Sequence, residues 1–177
     1  MYEYKINLEE KDYVTFNEYH MQNSPSGKKT ILTFRLMMPI ISIIIIFIFW
    51  IVGVDPFLLL IESIVLALVS VFFVFYSKRL LMKSIVKTIA KLKKEGKLPY
   101  NQESVMTFDD EGIHEKTDKS ESKNRYTMVE KIGNTDHAIY IYFSAMQAYI
   151  IPISVFESDT DKKQFLEFLY SKCTPKS

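Results

Sequence analysis

The sequence has few of the residues from which catalytic and disulfide-linked sites are built. Its single cysteine, Cys173, has no second cysteine to pair with, which excludes a disulfide-stapled secreted domain. Its three histidines, His20, His114 and His137, lie in different segments without metal-ligand spacing. Its five glycines form neither a Gly-rich phosphate loop nor a Gly-x-Ser-x-Gly nucleophile elbow. We therefore expect no catalytic residues, no metal site, no cofactor and no enzymatic activity.

The chain also lacks an excess of either charge. Its 22 Lys and Arg residues against 21 Asp and Glu residues give a net charge of +1. A nucleic-acid binder that depends on overall basicity needs a much larger positive charge. We therefore expect no nucleic-acid partner.

Apolar residues, in contrast, are concentrated in one long segment. Between residues 36 and 77, 33 of 42 residues are hydrophobic. The segment divides into a stretch without charge, about 36–54, and a stretch whose only charge is Glu62, about 56–77. Each is long enough to cross a hydrocarbon core of about 30 Å. A long helix inside a large protein core is excluded, since the rest of the chain is too short to enclose so many apolar side chains. We predict a two-helix transmembrane hairpin at 36–77, with the lipid bilayer as partner.

The predicted hairpin turns at Gly53, Asp55 and Pro56, because Gly ends a helix and Pro suits the first turn of the next. Cations flank the hairpin on both sides, while the turn carries only Asp55. These cations are Lys28, Lys29 and Arg35 before it, and Lys78, Arg79, Lys83 and Lys87 after it. By the positive-inside rule, we expect a multi-pass protein of the cell (plasma) membrane with both termini cytoplasmic. The 35 largely polar residues that come first do not resemble a cleaved signal, so we expect both spans to be retained.

Residues 78–97 carry a net charge of +7 and a helical pattern, which predicts a basic amphipathic helix that continues the second span. Gly96 and Pro99 are expected to end it. One interpretation is a topogenic stop signal together with a solvated helix face whose apolar side packs on the C-terminal domain. The other is a surface for anionic lipid headgroups, since each cation near an anionic leaflet contributes about 1 kcal/mol. The headgroup candidates are Lys78, Arg79, Lys83, Lys87, Lys91 and Lys94.

Glu62 is the one acidic residue within a predicted span, where a charge is costly and often functional. It follows Pro56 by six residues, or about 9 Å along a helix, which places it in the outer third of the bilayer. Protonation or a side chain that reaches the outer surface accounts for it there. The other interpretation is a role in partner contact or ion sensing.

Residues 98–177 read as a C-terminal cytoplasmic domain, an antiparallel sheet closed by a helix. Strands are predicted at 105–108, 113–116, 123–128, 138–143 and 148–152, the last two separated by residues 144–147. Asp159 or Thr160 is expected to cap the final helix. Asp109 to Gly112 read as a turn, although the acids Asp109 to Glu111 also suit a hard cation. Residues 1–35 predict an N-terminal strand and a short helix, and we expect the strand to join the sheet.

Three stretches carry a resemblance to a known family. They are VMTFDDEGIH (105–114), YTMVEKI (126–132) and AIYIYFSAMQAYIIPISVF (138–156). With the order of segments, they resemble the YcxB-like family of bacterial two-span membrane proteins. The resemblance implies a membrane α-helical hairpin plus an α+β cytoplasmic domain, a small PH-like sheet or barrel closed by a C-terminal helix. It brings no catalytic residues with it, and the highly charged segment 115–123 departs from the family pattern.

We therefore expect a non-enzymatic integral membrane protein whose PH-like domain is held at the inner leaflet and binds protein or lipid. A self-immunity or envelope-stress protein that acts through its hairpin is an alternative. An accessory subunit of a transporter or sensor is another. A protein partner or a homo-oligomer is compatible with each of these.

Overall fold

The computed structural model describes residues 1–145 and 147–173. Met146, in the predicted turn between the last two strands, and residues 174–177 at the end of the predicted domain lie outside them. The chain forms two compact units, one of Met1–Tyr19 with the residues from Ile89 onward, the other of His20–Thr88. The helices and strands in chain order are β1 (Tyr2–Asn7), α1 (Glu10–Asn23), α2 (Pro25–Val52), α3 (Pro56–Lys94), β2 (Glu103–Phe108), β3 (Ile113–Lys116), β4 (Glu121–Asn124), β5 (Lys131–Asn134), β6 (Ala138–Tyr142), β7 (Ala148–Pro152) and α4 (Asp159–Lys172).

Two long apolar helices, α2 and α3, form the middle of the chain. Helix α2 begins at Pro25, eleven residues before the apolar run, because Ser24 provides a cap: its Oγ accepts the N–H of Gly27 at 2.9 Å. Helix α3 runs without a break into the basic segment and ends at Lys94. Gly96 follows with φ of +67°, a left-handed conformation that favours glycine.

The first sheet is an antiparallel meander in the order β1-β2-β3-β4. Strand β1 pairs with β2 over its whole length, from Tyr2 opposite Phe108 to Asn7 opposite Glu103. The expectation that the N-terminal strand joins the sheet is confirmed. Helices α1, α2 and α3 are consequently an insertion between two neighbouring strands.

The second sheet is a three-stranded antiparallel meander in the order β5-β6-β7. All five residues of its central strand, β6, are buried, so both faces of this sheet are covered. Ile139 and Ile141 point to one face and Tyr140 and Tyr142 to the other, as alternation in a strand requires.

The unit of Met1–Tyr19 and the residues from Ile89 onward is called the folded domain below. Its core is aromatic. Phe165 of α4 is fully buried, and its ring centroid lies 5.1 Å from that of Tyr4, 4.8 Å from that of Phe108 and 5.5 Å from that of Phe156. Such edge-to-face and tilted pairs add about 0.5–1.5 kcal/mol each to the burial of the rings. Helix α4 is thereby packed on the first sheet.

Three details differ from the sequence predictions. The described strands form two separate sheets and no closed barrel. The strand predicted at 123–128 is wrong in its bounds: β4 ends at Asn124, and Tyr126–Met128 form a 3-10 turn. The cap of α4 is Ser158, whose Oγ accepts the N–H of Asp161 at 3.1 Å, rather than Asp159 or Thr160. Ser158 has the extended backbone that an N-cap requires, whereas the other two already lie within the helix.

Candidate functional site

The two long helices expose their apolar side chains, as a membrane-spanning hairpin must. Both are long and apolar enough to cross a bilayer, and only 6% of the most apolar 18-residue window of each is buried. A core helix of a water-soluble protein would be mostly buried. Phe75 and Val52 illustrate the pattern, with 79% and 72% of their surfaces exposed. Helices α2 and α3 are therefore candidate membrane spans.

Two residues set the turn of the hairpin. Gly53 ends α2 in a left-handed conformation, with φ of +80°, and its N–H donates to the Trp50 carbonyl at 3.2 Å. Asp55 then caps α3, because its Oδ1 accepts the N–H of Phe57 at 3.0 Å. Both groups were identified in the sequence as turn residues.

The two helices of the hairpin are in contact at defined positions. The Oγ atoms of Ser42 and Ser70 lie 2.9 Å apart, and both side chains are buried. The rings of Phe34 and Phe73 lie 5.3 Å apart at their centroids. Hydroxyl pairs of this kind connect helices in lipid, where the backbone offers no free partner.

A groove of about 430 Å³ lies on the hairpin surface. On the α2 side Pro39 is part of its wall, and on the α3 side the small residues Ser63 and Ala67 line it. Small side chains permit another helix to approach closely. The predicted homo-oligomer or protein partner stays a prediction.

Glu62 lies on α3, partly exposed, six residues from the start of the helix. It forms no hydrogen bond or ion pair with any residue that the structure describes. Its neighbour Ser63 donates to the Leu59 carbonyl at 2.7 Å and so satisfies its hydroxyl within α3. Its functional role stays a prediction.

The lipid-headgroup candidates all lie on α3, but over a long distance. Lys78 and Lys94 are sixteen residues apart, or about 24 Å along the helix. The attraction of a charged leaflet decays within a Debye length, about 8 Å at physiological ionic strength. Lys91 Nζ also lies 3.9 Å from Glu95 Oε1, and this carboxylate partly offsets the positive charge of Lys91. Lys78, Arg79 and Lys83 are the candidates nearest to the apolar span, and the headgroup role of all six stays a prediction.

The C-terminal part of α3 packs within the folded domain. Ile89 is 3% exposed. Lys93 Nζ lies 3.3 Å from the Glu10 carboxylate at the start of α1, and the Tyr13 and Tyr100 rings stack at 4.6 Å. The start of α1 and the end of α3 are thereby joined.

Helix α1 covers the outer face of the second sheet. Phe16 and Tyr19 pack on the Tyr140 ring, at centroid distances of 5.4 and 4.8 Å. Gly133 makes this approach possible, because a Cβ there would lie only 2.7 Å from the Tyr19 hydroxyl. Burial raises the pKa of both Tyr19 and Tyr140 above the usual tyrosine value. This contact was not predicted, because no strand was predicted at residues 131–134 and a glycine signals close approach only within a recognised strand.

Residues 108–169 match the family model described as YcxB-like protein. The chain carries a YcxB-like domain. The resemblance noted in the sequence is thereby confirmed. No curated protein and no solved structure matches the chain.

The folded domain extends beyond the residues that match the YcxB-like family model. The match begins at Phe108, the last residue of β2, and ends at Leu169 in α4. Strand β1 lies outside the match but contributes Tyr4 and Ile6 to the same buried core. The structural domain is therefore discontinuous in sequence.

The acidic turn of the YcxB-like domain is held by hydrogen bonds within the chain. Asp109 Oδ1 accepts the N–H groups of Glu111 and Gly112 at 2.8 and 3.0 Å, which holds the pKa of this carboxyl below its usual value. Its Oδ2 lies 3.2 Å from His114 Nε2. The turn interpretation is confirmed. Among residues 1–145 and 147–173, no three His, Cys, Asp or Glu side chains meet in a group suited to a metal ion.

One tyrosine links the two sheets of the YcxB-like domain. The hydroxyl of Tyr149 in β7 accepts from Asn124 Nδ2 at 2.7 Å and lies 2.9 Å from Ser122 Oγ. Both partners belong to β4, the edge strand of the other sheet. Side chains thus connect β4 with β7 where the backbone ladders are separate.

Proposed function

We propose that the chain is a two-span integral protein of a bacterial plasma membrane, with both termini in the cytoplasm. Its YcxB-like domain is held at the inner leaflet, where it binds a protein or a lipid and catalyses no reaction. The observation that carries the proposal is the pairing of β1 with β2, which precede and follow the candidate spans.

This pairing constrains the membrane topology. Strands β1 and β2 share a hydrogen-bonded ladder, so Asn7 and Glu103 must lie on the same side of any membrane that the intervening chain crosses. The insertion therefore crosses an even number of times. Two candidate spans satisfy this condition, and one span would not.

The distribution of charge supports the cytoplasmic side. Residues 78–97 carry a net charge of +7, while the only charged residue in the turn between the two helices is Asp55. Cations beside a span resist translocation, which favours a cytoplasmic location for the ends of the hairpin.

The order of strands supports a PH-like arrangement of the domain. A four-stranded meander is followed by a three-stranded meander and then by a terminal helix packed on the core. The link from Tyr149 to Asn124 brings one corner of the two sheets together by side chains. An open, two-sheet form of the small barrel accounts for these features.

Binding rather than catalysis is supported by the way the three acids of the turn at 109–111 are used. Asp109 holds a turn, Asp110 pairs with Lys172 at 2.6 Å, and Glu111 pairs with Lys123. Each acid thus already has a structural partner.

Single cysteines test the topology. In a Cys173→Ala background, Val52→Cys places a thiol at an exposed position beside the turn, while Glu3→Cys and Lys163→Cys place one on β1 and one on α4. We expect a membrane-impermeant thiol reagent to label the Val52→Cys variant in intact cells. The other two variants should react only after permeabilisation. Labelling of Glu3→Cys and Lys163→Cys from opposite sides would contradict the proposal.

A domain variant tests where binding occurs. Phe165→Ala removes the centre of the aromatic core and should lower the free energy of unfolding of the domain by about 3–5 kcal/mol. It changes no residue of α2 or α3. We expect full-length protein purified in mild detergent to lose its bound partner with this substitution. Retention of the same partner would assign binding to the hairpin.

A further inference from the structure

Four cations lie beyond one ring contact of the hairpin, on the side away from its turn. The Phe34 and Phe73 rings of the two antiparallel helices are in contact, with centroids 5.3 Å apart. Two cations precede Phe34 by five and six residues, and two follow Phe73 by five and six residues. At about 1.5 Å per residue, all four lie about 8–9 Å from the ring contact on the same side. We name them the basic collar: Lys28, Lys29, Lys78 and Arg79.

The basic collar has no acidic partner within its own unit. His20–Thr88 contains only two acids, Asp55 and Glu62, both on the turn side of the ring contact. Glu62 is eleven residues from Phe73, or about 16 Å along α3. Among the described residues, no carboxylate lies within ion-pair distance of a collar cation. In the other unit, by contrast, cations such as Lys93 and Lys172 are paired with carboxylates.

A groove of about 500 Å³ begins at the collar and runs along one face of α2. Its polar end contains Lys29 and the hydroxyl residues Ser26 and Thr30, and its apolar end contains Phe34 and Met37. The residues from Ser26 to Met37 cover about 16 Å of helix, from the capped N-terminus into the apolar run. Lys29 belongs to both the collar and the groove, whereas its neighbour Lys28 belongs only to the collar.

We infer that the collar and this groove form a site for one anionic phospholipid. The phosphate binds Lys29 in the field of the other collar cations, and an acyl chain lies along Phe34 and Met37. This inference rests on the membrane location proposed above. The charge of the collar complements the headgroup, and the change from polar to apolar lining matches the lipid from phosphate to chain.

An acidic polypeptide fits the same charge but not the same groove. Its carboxylates would meet the collar, yet its polar backbone would have to cover Phe34 and Met37 at the start of the apolar run. Unsatisfied backbone groups are costly there. The observations therefore favour the lipid.

Native mass spectrometry of the full chain in detergent tests the site. The protein is titrated with phosphatidylglycerol and, separately, with phosphatidylcholine of the same acyl chains. We expect the first phosphatidylglycerol to bind more tightly than phosphatidylcholine. Lys29→Gln should weaken that first binding by about five-fold or more, the loss expected for one cation at an anionic headgroup. Lys28→Gln and Lys94→Gln each remove one charge outside the groove and should weaken it by at most about two-fold.

Three outcomes would overturn the inference. Equal affinity for phosphatidylglycerol and phosphatidylcholine would show that the site does not select an anionic headgroup. If Lys28→Gln and Lys29→Gln weakened the binding of phosphatidylglycerol equally, the lipid would be held by the overall charge of the collar and not in the groove at Lys29. Tight binding of polyglutamate that depends on Lys29, without a preference for phosphatidylglycerol, would assign the surface to an acidic protein.

Flotation with vesicles separates this inference from the proposed function. A chain that does not float with vesicles of either lipid contradicts the membrane location. A chain that floats with both, but binds the two lipids equally in detergent, contradicts the lipid site alone.

Discussion

The hydroxyl oxygens of Ser42 and Ser70 lie 2.9 Å apart and join the two candidate spans at a buried position. We expect Ser42→Ala and Ser70→Ala to be coupled in a double-mutant cycle by about 0.6 kcal/mol, an average value for such bonds in membrane proteins. The coupling energy is obtained from the free energies of unfolding of the four proteins of the cycle in mixed detergent micelles. Ser63→Ala provides the control, since that hydroxyl bonds within its own helix at 2.7 Å. Coupling of Ser42→Ala with Ser63→Ala of the same size would contradict the assignment.

Strand β1 should be as important to the YcxB-like domain as the strands within the family match. Ile6→Ala removes a side chain that is 3% exposed, so we expect the free energy of unfolding to fall by about 2–5 kcal/mol. Lys5→Ala, on the exposed face of the same strand, should change it by less than about 0.5 kcal/mol. Denaturation followed by near-ultraviolet circular dichroism of the tyrosines measures both. Equal effects of the two substitutions would show that β1 is not part of the core.

Gly133 should tolerate no side chain while Tyr19 occupies its present position. A Cβ at residue 133 would meet the Tyr19 hydroxyl at 2.7 Å, so we expect Gly133→Ala to lower the free energy of unfolding by about 1–3 kcal/mol. Combination with Tyr19→Ala should relieve the overlap, and the double variant should be more stable than the sum of the single effects predicts. Strict additivity would mean that α1 does not depend on this glycine.

Cys173 should be unreactive while the domain is folded. The side chain is 4% exposed, and burial raises the pKa of its thiol to about 11. Thiolate is the reacting species, so we expect slow alkylation at pH 8 that accelerates in denaturant. An exposed thiol on α4, from Lys163→Cys in a Cys173→Ala background, should react at once under both conditions. Rapid labelling of native Cys173 would contradict its burial.

Alkaline pH should unfold the domain through its buried tyrosines. Burial raises the pKa of Tyr4, Tyr126, Tyr140 and Tyr142 above the usual value of 10.0. Above pH 10 the unfolded chain loses these protons while the folded chain keeps them, so stability falls as pH rises. Each tyrosine should remove about 1.4 kcal/mol per pH unit until its folded pKa is reached. Denaturation midpoints between pH 8 and 11 measure this slope.

A matched pair of variants identifies the tyrosine contribution. Tyr140→Phe should make the fall of stability above pH 10 less steep. Ile139→Val, at a fully buried neighbour without a hydroxyl, should lower stability alike at every pH. The same slope in both variants would exclude Tyr140 as a source of the pH dependence.

Much of the secondary structure is readable from the sequence because local preference and tertiary environment agree. The strand predicted at 138–143 is rich in branched and aromatic residues, and the structure places β6 in the middle of a sheet. Asp109 and Gly112 likewise form the turn that these residue types favour. Glycine and proline also mark the turn between the two long helices correctly.

The missed features depend on pairing partners, caps and helix contacts that residue preferences alone do not show. Strand β5 consists of Lys131, Ile132, Gly133 and Asn134, two of which disfavour strands, and it forms because β6 offers it a ladder. The start of α2 at Pro25 was missed because hydrophobicity marks the membrane boundary rather than the helix boundary. The basic collar could not be recognised as a group from the sequence, because the contact of Phe34 with Phe73 that relates its two helices is seen only in the structure.

The insertion between β1 and β2 also sets the order in which the protein can be completed. Strand β1 leaves the ribosome first, and its partner begins at Glu103, 96 residues after Asn7. At synthesis rates of about 5–20 residues per second, β1 waits roughly 5–20 s for β2. During that interval both candidate spans also leave the ribosome. The sheet can close once both helices have crossed the bilayer, whereas a hairpin with only one helix inserted would hold β1 and β2 on opposite sides.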